Sequence, residues 1–211
     1  MMLALKILMA YLLGSLSGSL MVGRWRGVDI RNQGSGNAGG TNAFRTQGFG
    51  FALATVFIDV GKGALAAWFG GQPFAGDPGG LVPALACSAA AIAGHVWPIY
   101  HGFRGGKGAG TMIGTLLVLW PLALLPVLGV WLLSLSLTGF VGLSTMLAGL
   151  ALVPSAWFLQ QGEMRLPWLI SAGAIAAFLV FTHRSNIMKM RAGTEYRFTK
   201  AMIWKRLRRD G

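Results

Sequence analysis

From Gly108 to Gly162 the chain runs for 55 residues without one charged or histidine side chain. A water-facing helix or strand needs polar residues at its own period, so a stretch of this length and character belongs in lipid. It is interrupted only by Trp120-Pro121, Pro126, a hydroxyl-bearing patch from Ser134 to Gly139, and Pro154. The remainder agrees: of 211 residues 54% are hydrophobic and 11% charged, too few to cover a globular surface. The single cysteine, Cys87, excludes an intramolecular disulfide and reads as a small packed hydrophobe.

Four further apolar segments are candidate spans: Leu3 to Val22, Phe49 to Gly71, Leu81 to Tyr100 and Leu166 to Phe181. The first carries Gly14 and Gly18 four apart, a spacing that marks close helix packing, and is expected to be retained rather than cleaved as a signal peptide. The net charge of +12 would suggest nucleic acid in a soluble protein; here the positive-inside rule and anionic headgroups explain it. Fifteen of the 18 Lys and Arg lie in three places: the loop 23–48, the loop 101–110 and the C-terminal segment 183–211. All three are therefore expected on the cytoplasmic side, with the Asp77 turn, the Glu163 loop and the N-terminus outside. The charge-free region must then cross once or three times. One crossing strands about 35 apolar residues and three use about 18 each, at the short end of the range, so the expected fold is an all-α polytopic membrane protein of seven helices, with five as the fallback. Short helices are expected to meet near Pro121.

The polar loops carry the chemistry. Gly34-Ser35-Gly36-Asn37-Ala38-Gly39-Gly40-Thr41-Asn42-Ala43-Phe44-Arg45 is dense in glycine, so backbone N–H groups can approach an anion. Ser35, Asn37, Thr41 and Asn42 add neutral donors, and Arg45 adds a planar fork that suits phosphate or carboxylate. The second loop, His101 to Gly110, repeats the pattern with Gly105, Gly106, Gly108, Arg104 and Lys107. Gly34-x-Gly36-x-x-Gly39 with Asp59 about 20 residues on satisfies a dinucleotide fingerprint, but the strand that motif requires is absent and Asp59 lies in an apolar run. Lys107 is followed by Gly108 rather than a hydroxyl residue, so a Walker loop fails too. Asp59 and Lys62, three apart within a span, can neutralise each other and serve either as a structural clip or as part of the site wall. His95 can be a buried core histidine, and His183 and Asn186 can cap the last helix.

Three groups of residues together resemble the bacterial acyl-phosphate:glycerol-3-phosphate acyltransferases of the PlsY type. They are Gly34-Ser35-Gly36-Asn37-x-Gly39-x-Thr41-Asn42-x-x-Arg45; Gly94-His95-x-Trp97-Pro98 with Phe103-x-Gly105-Gly106-Lys107-Gly108; and His183-x-x-Asn186-Ile187 with Gly193-x-Glu195. Asp59-x-x-Lys62-Gly63 matches as well, and the likeness runs from the first helix to the last motif. The resemblance implies transfer of a fatty acyl group from acyl phosphate to the 1-hydroxyl of glycerol 3-phosphate, giving lysophosphatidic acid and phosphate, the first step of phospholipid synthesis. It implies a monomer in the bacterial cytoplasmic (inner) membrane, a single membrane domain over 1–211, no metal or other cofactor, and no nucleic acid, acyl-CoA or acyl carrier protein as partner.

Under this reading Ser35, Arg45, Lys107, His183 and Asn186 are the catalytic set, and Gly34, Gly36, Asn37, Gly39, Thr41, Asn42, His95, Gly105, Gly106, Gly108 and Glu195 bind substrate. Glu195 is also expected to pair with a loop arginine. Acyl phosphate is a mixed anhydride with a good leaving group, so positioning and charge stabilisation suffice without a protein nucleophile. The base is either the donor phosphate or His183, and Ser35 is read as a hydrogen-bond donor. Two other classes compete. A phosphate or organophosphate transporter wants cationic glycine loops but should carry polar residues on both membrane sides or inverted repeats; a non-enzymatic scaffold explains the basic tail but not the three polar loops.

Overall fold

The computed structural model describes residues 2–74 and 76–203, and these are predominantly helical, with longer connections that include 26–39 and 102–108. The basic extension from Lys200 to Arg209 therefore lies outside the described residues from position 204 on. At the Pro121–Leu122 peptide the chain divides into two compact units.

The first unit contains α1 (Met2–Gly14), α2 (Gly18–Trp25), α3 (Gly40–Gln47), α4 (Phe49–Gly71), α5 (Leu81–Val96) and α6 (Ala109–Leu119). Helix α4 is its axis. Phe51, Ala52, Thr55, Asp59, Lys62, Gly63, Ala66, Ala67 and Gly70 are its buried positions, an i, i+3/i+4 stripe that faces the surrounding helices. Several contacts depend on missing side chains. A Cβ on Gly63 would overlap the Thr111 carbonyl of α6, and one on Gly114 would overlap the Val60 carbonyl of α4. On the other flank Gly14 of α1 sits on Ala91, and Gly94 of α5 sits on the Tyr11 carbonyl. Lipid gives apolar side chains no reason to leave it, so such backbone-close packing is what holds helices together in a membrane.

The first span is not the continuous helix expected from Leu3 to Val22. It breaks over Ser15-Leu16-Ser17, and its halves are bent by 46°. Gly14 and Gly18 consequently serve different neighbours, Gly14 packing on α5 and Gly18 on Thr55 of α4. The break exposes backbone groups that side chains reclaim. The Gly18 N–H donates to Asp59 Oδ1 at 3.1 Å, and the Leu16 carbonyl accepts from Lys62 Nζ at 2.8 Å. At the opposite end of this unit Lys6, fully buried, pairs with Asp77 at 2.7 Å and donates to the Gly70 and Gln72 carbonyls.

The second unit contains α7 (Leu124–Thr138), α8 (Val141–Leu150), α9 (Leu152–Leu159), α10 (Arg165–Thr182) and α11 (Arg184–Arg191). The hydroxyls of Ser134, Thr138, Ser144, Thr145 and Ser155 each donate to the carbonyl four residues earlier, which satisfies them where no water is at hand. Leu125, Leu132, Leu133 and Leu137 of α7 are exposed, as a lipid-facing surface requires.

Among the described residues, five helical stretches are long and apolar enough to cross a membrane: 49–71, 81–101, 121–138, 141–159 and 162–182. The bent pair α1 and α2 makes a sixth. The charge-free region holds three apolar helical stretches, of which α6 has only 11 residues, about 16 Å of helix. It ends at Leu119, one residue before Trp120-Pro121, the expected place of the break.

Candidate active site

The first glycine segment is not the open loop its composition suggests. After Trp25 the chain makes a 3-10 turn, Ile30–Asn32, turns again at Gly34-Ser35, and then enters α3, so Thr41, Asn42 and Arg45 are helical residues. Gly34 and Gly36 adopt φ of 57° and 76°, a region costly for other residues. Ser35 and Gly36 are exposed, Asn37 and Gly39 half-buried, and Thr41 exposed at the start of α3. Arg45 is half-buried in the last turn of the helix.

Asn42 does not point out as a substrate donor. It is 1% exposed, and its amide holds the segment together. Oδ1 accepts the Ser35 N–H at 2.9 Å, while Nδ2 donates to the Ile30 and Gln33 carbonyls, each at 3.0 Å. Its three bonds turn the chain back on itself, leaving the Ser35 side chain at the surface. The Gly36 N–H is likewise engaged, with the Gln33 carbonyl at 3.0 Å.

The second segment is anchored in the same way. The N–H groups of Gly105 and Gly106 donate to the Val96 and His95 carbonyls, both at 3.1 Å, so these two amides close the end of α5 instead of cradling an anion. Donors toward a ligand must come from further along, where Gly108, at φ 90°, caps the N-terminus of α6. Lys107 is half-buried immediately before that cap. Phe103 is exposed and takes φ 59°, held there by its N–H on the Pro98 carbonyl at 2.9 Å. A bulky residue in that region costs of order 1–3 kcal/mol, and no sequence signal announces it.

Arg31 ties the two segments together, a role that the spacing of motifs does not reveal. Its guanidinium grips Asp29 through Nε at 3.0 Å and Nη2 at 2.7 Å, while Nη1 donates to the His101 carbonyl at 2.9 Å and the Arg104 carbonyl at 3.2 Å. The hydrogen-bonded Arg31 side chain holds the Asp29 carboxyl below its ordinary range. Asp29 is the sole acid in the first loop, and its place two residues before Arg31 is the one hint the chain offers. His95 is 2% exposed, with Nδ1 at 2.9 Å from Lys62 Nζ and 3.3 Å from Asp59 Oδ1. Asp59 and Lys62 are paired at 3.1 Å, as their spacing predicts.

The third motif lies in the second unit. His183 is buried, and its Nδ1 lies 2.8 Å from the Leu179 carbonyl. A carbonyl only accepts, so Nδ1 carries the proton and Nε2 is the basic nitrogen. Asn186 Nδ2 donates to Glu195 Oε1 at 2.8 Å, so the partner found for Glu195 among the described residues is an amide rather than the expected arginine. The segment beyond is fastened to the turn after α7 by the Phe198 N–H on the Gly139 carbonyl at 2.7 Å and Arg197 Nε on the Thr138 carbonyl at 2.8 Å.

Comparison with known proteins places this architecture. The family model described as glycerol-3-phosphate acyltransferase matches residues 4–193. Proteins named glycerol-3-phosphate acyltransferase from Chlorobaculum parvum, a Synechococcus strain and Bacillus subtilis are 36%, 42% and 39% identical, each over 92% of this chain and 93–97% of their own. The crystal structure of PlsY, an integral membrane glycerol 3-phosphate acyltransferase, in its glycerol 3-phosphate form superposes with a TM-score of 0.84 at 29% identity, covering 94% of this chain and 96% of the other. Its lysophosphatidic acid form superposes with a TM-score of 0.80 over 93% and 95%. The chain belongs to the glycerol-3-phosphate acyltransferase family.

Proposed function

We propose that this protein transfers a fatty acyl group from acyl phosphate to the 1-hydroxyl of glycerol 3-phosphate. Family membership over 4–193 supports the acceptor and the class of reaction, and the transporter reading is dropped with it. The observation that carries the reading at atomic level is the Arg31 bracket, which makes one surface from two segments whose composition suits phosphate. Arg45 and Lys107 supply the counter-charge, and Ser35, Asn37 and Thr41 supply neutral donors beside them. Gly34, Gly36, Gly39 and Gly108 permit the close backbone approach, while Asn42, Gly105 and Gly106 shape the surface.

In the step itself the acceptor hydroxyl oxygen attacks the acyl carbonyl carbon, the bond from that carbon to the phosphate oxygen breaks, and phosphate leaves. Because the leaving group is already activated, positioning and charge stabilisation suffice. The hydroxyl proton passes to the departing phosphate. In a second reading His183 is the base, its ring oriented by Nδ1 donating to the Leu179 carbonyl at 2.8 Å, with Nε2 the basic nitrogen. Asn186 and Glu195 orient this motif as a hydrogen-bonded pair. The chain works without metal or other cofactor, as a monomer.

We further infer seven crossings, with α1 and α2 forming one broken span and the short α6 another, an outside N-terminus, and a site facing the cytoplasm of a bacterial inner membrane. The distribution of cations supports this orientation. The test supplies purified protein with acyl phosphate and acyl-CoA in parallel, with glycerol 3-phosphate and a chelator present. Turnover from acyl phosphate alone is expected; comparable turnover from acyl-CoA would overturn the assignment of the donor.

A further inference from the structure

Three ionisable side chains, Asp59 and Lys62 of α4 and His95 of α5, meet inside the first unit, each no more than 3% exposed. Burying such a cluster at membrane depth is expensive and calls for a reason. Neutralising the broken span is half of it: the Leu16 carbonyl and Gly18 N–H that α1 and α2 leave behind are taken up by Lys62 and Asp59. A hydroxyl or amide would do that at lower cost. The other half is His95. Nδ1 of His95 faces both charges, 2.9 Å from Lys62 Nζ and 3.3 Å from Asp59 Oδ1, which turns the Nε2 edge of the ring away from them. That edge of the ring lies against Gly106, where an added Cβ would collide with Nε2, and the His95 main chain is covered by Gly105 and accepts the Gly106 N–H at 3.1 Å. The imidazole is thus clamped on one side by two charges and supports on the other the glycines that precede Lys107.

We propose that Asp59, Lys62 and His95 are positioning residues: a buried charged clamp that fixes the His95 ring, and through it the Gly105-Gly106-Lys107 segment, against the bend of the first span. The inference rests on the reading of that segment as a phosphate-binding element. Its physical content is that the charges set where Lys107 and the start of α6 stand, not merely whether the helices pack.

The discriminating variant is the double substitution Asp59→Asn with Lys62→Met. The Asn oxygen still accepts the Gly18 N–H and no lone charge is left buried, so outside the cluster only the bond to the Leu16 carbonyl is lost, and the fold survives where either single change would strand an ion. In the enzyme assay with acyl phosphate and glycerol 3-phosphate, the thermal midpoint in detergent should stay near wild type. The KM for one of the two phosphate-bearing substrates should rise about 10–100-fold, the cost of misplacing a binding group by about 1 Å, with kcat changed much less. Purely structural residues would instead lower the amount of folded enzyme and leave both KM values unchanged, and that result overturns the proposal.

Hydrogen exchange of the segment 101–110 needs no substrate: the Gly105 and Gly106 amides should exchange at least about tenfold faster in the double variant, an opening of about 1.4 kcal/mol. Unchanged protection overturns the proposal even if the enzyme proves inactive. Lost protection together with a wild-type protein that turns over no acyl phosphate removes the proposed donor and leaves the clamp standing. Should the double variant not fold, His95→Gln, which removes no carboxylate or ammonium, carries both measurements with the same expected results.

Discussion

Replacing Asn42 tests whether the first glycine segment is a braced surface or a flexible loop. Asn42→Ala deletes three hydrogen bonds at once: those to the Ser35 N–H and to the Ile30 and Gln33 carbonyls. Each is worth about 1 kcal/mol net, so the braced conformation loses about 3 kcal/mol, or roughly a hundredfold in population. Asn42→Asp is the sharper change. It keeps the acceptor for Ser35 but turns the amide toward two carbonyls into a carboxylate oxygen, exchanging two attractions for two repulsions in a side chain that is 1% exposed. Both variants should therefore lose about 10²-fold in kcat/KM, the Asp variant at least as much as the Ala, and the midpoint of thermal unfolding should fall as well, because Ile30 and Ala43 beside the brace share a buried cluster with Val22, Phe51 and Ala52. Steady-state assays in detergent, varying each substrate in turn, combined with limited proteolysis of residues 30–40, provide the readout. If Asn42→Asp stays within about threefold of wild type, less than a single hydrogen bond is worth, the brace is wrong.

The other outcomes concern single contacts. Arg45→Ala should abolish turnover in a folded protein and Arg45→Lys should rescue it poorly, because a point charge cannot replace a planar fork; wild-type rates with lysine would refute this. Gly114→Ala places a Cβ on the Val60 carbonyl and should cost at least about 1–3 kcal/mol, seen as a lowered unfolding midpoint without a change in either KM. Arg31 lowers the Asp29 carboxyl, so the bracket is complete above the ordinary carboxylate value of about 3.9 and is lost as pH falls through the lowered folded value; activity between pH 5 and 8 should not titrate with Asp29, whereas Arg31→Ala should impair it throughout. Cysteine introduced at Pro78 should react with an impermeant reagent applied from outside intact cells, and cysteine at Gly40 or Glu195 should not; labelling at 195 would reverse the orientation.

Hydropathy and charge are sums along a chain, and what depends on such sums is legible in the residues alone. The membrane class follows from 55 uncharged residues in a row, the helical boundaries of α4 and α10, to within a residue, from runs of the right length, whereas α5 stops at Val96 instead of the expected Tyr100, and the chemical class follows from motifs that resemble those of a known family. Pairing of Asp59 with Lys62 is legible too, because i, i+3 neighbours on a helix must meet. What the tertiary structure decides is where competing hydrogen-bond partners end up. Asn42 has the chemistry of a ligand donor and is consumed by Ile30, Gln33 and Ser35; Gly105 and Gly106 have the composition of an anion cradle and cap α5; Arg31 is one cation among four in its loop and brackets two loops. The first span is largely apolar, yet it breaks between Gly14 and Gly18, and these two glycines approach different helices, α5 and α4. None of these outcomes is a property of a residue and its neighbours in sequence. A polar group out of water takes whichever partner the fold brings within about 3 Å of it, and for Arg31, Lys62 and Asp59 that partner is 40 or more residues away.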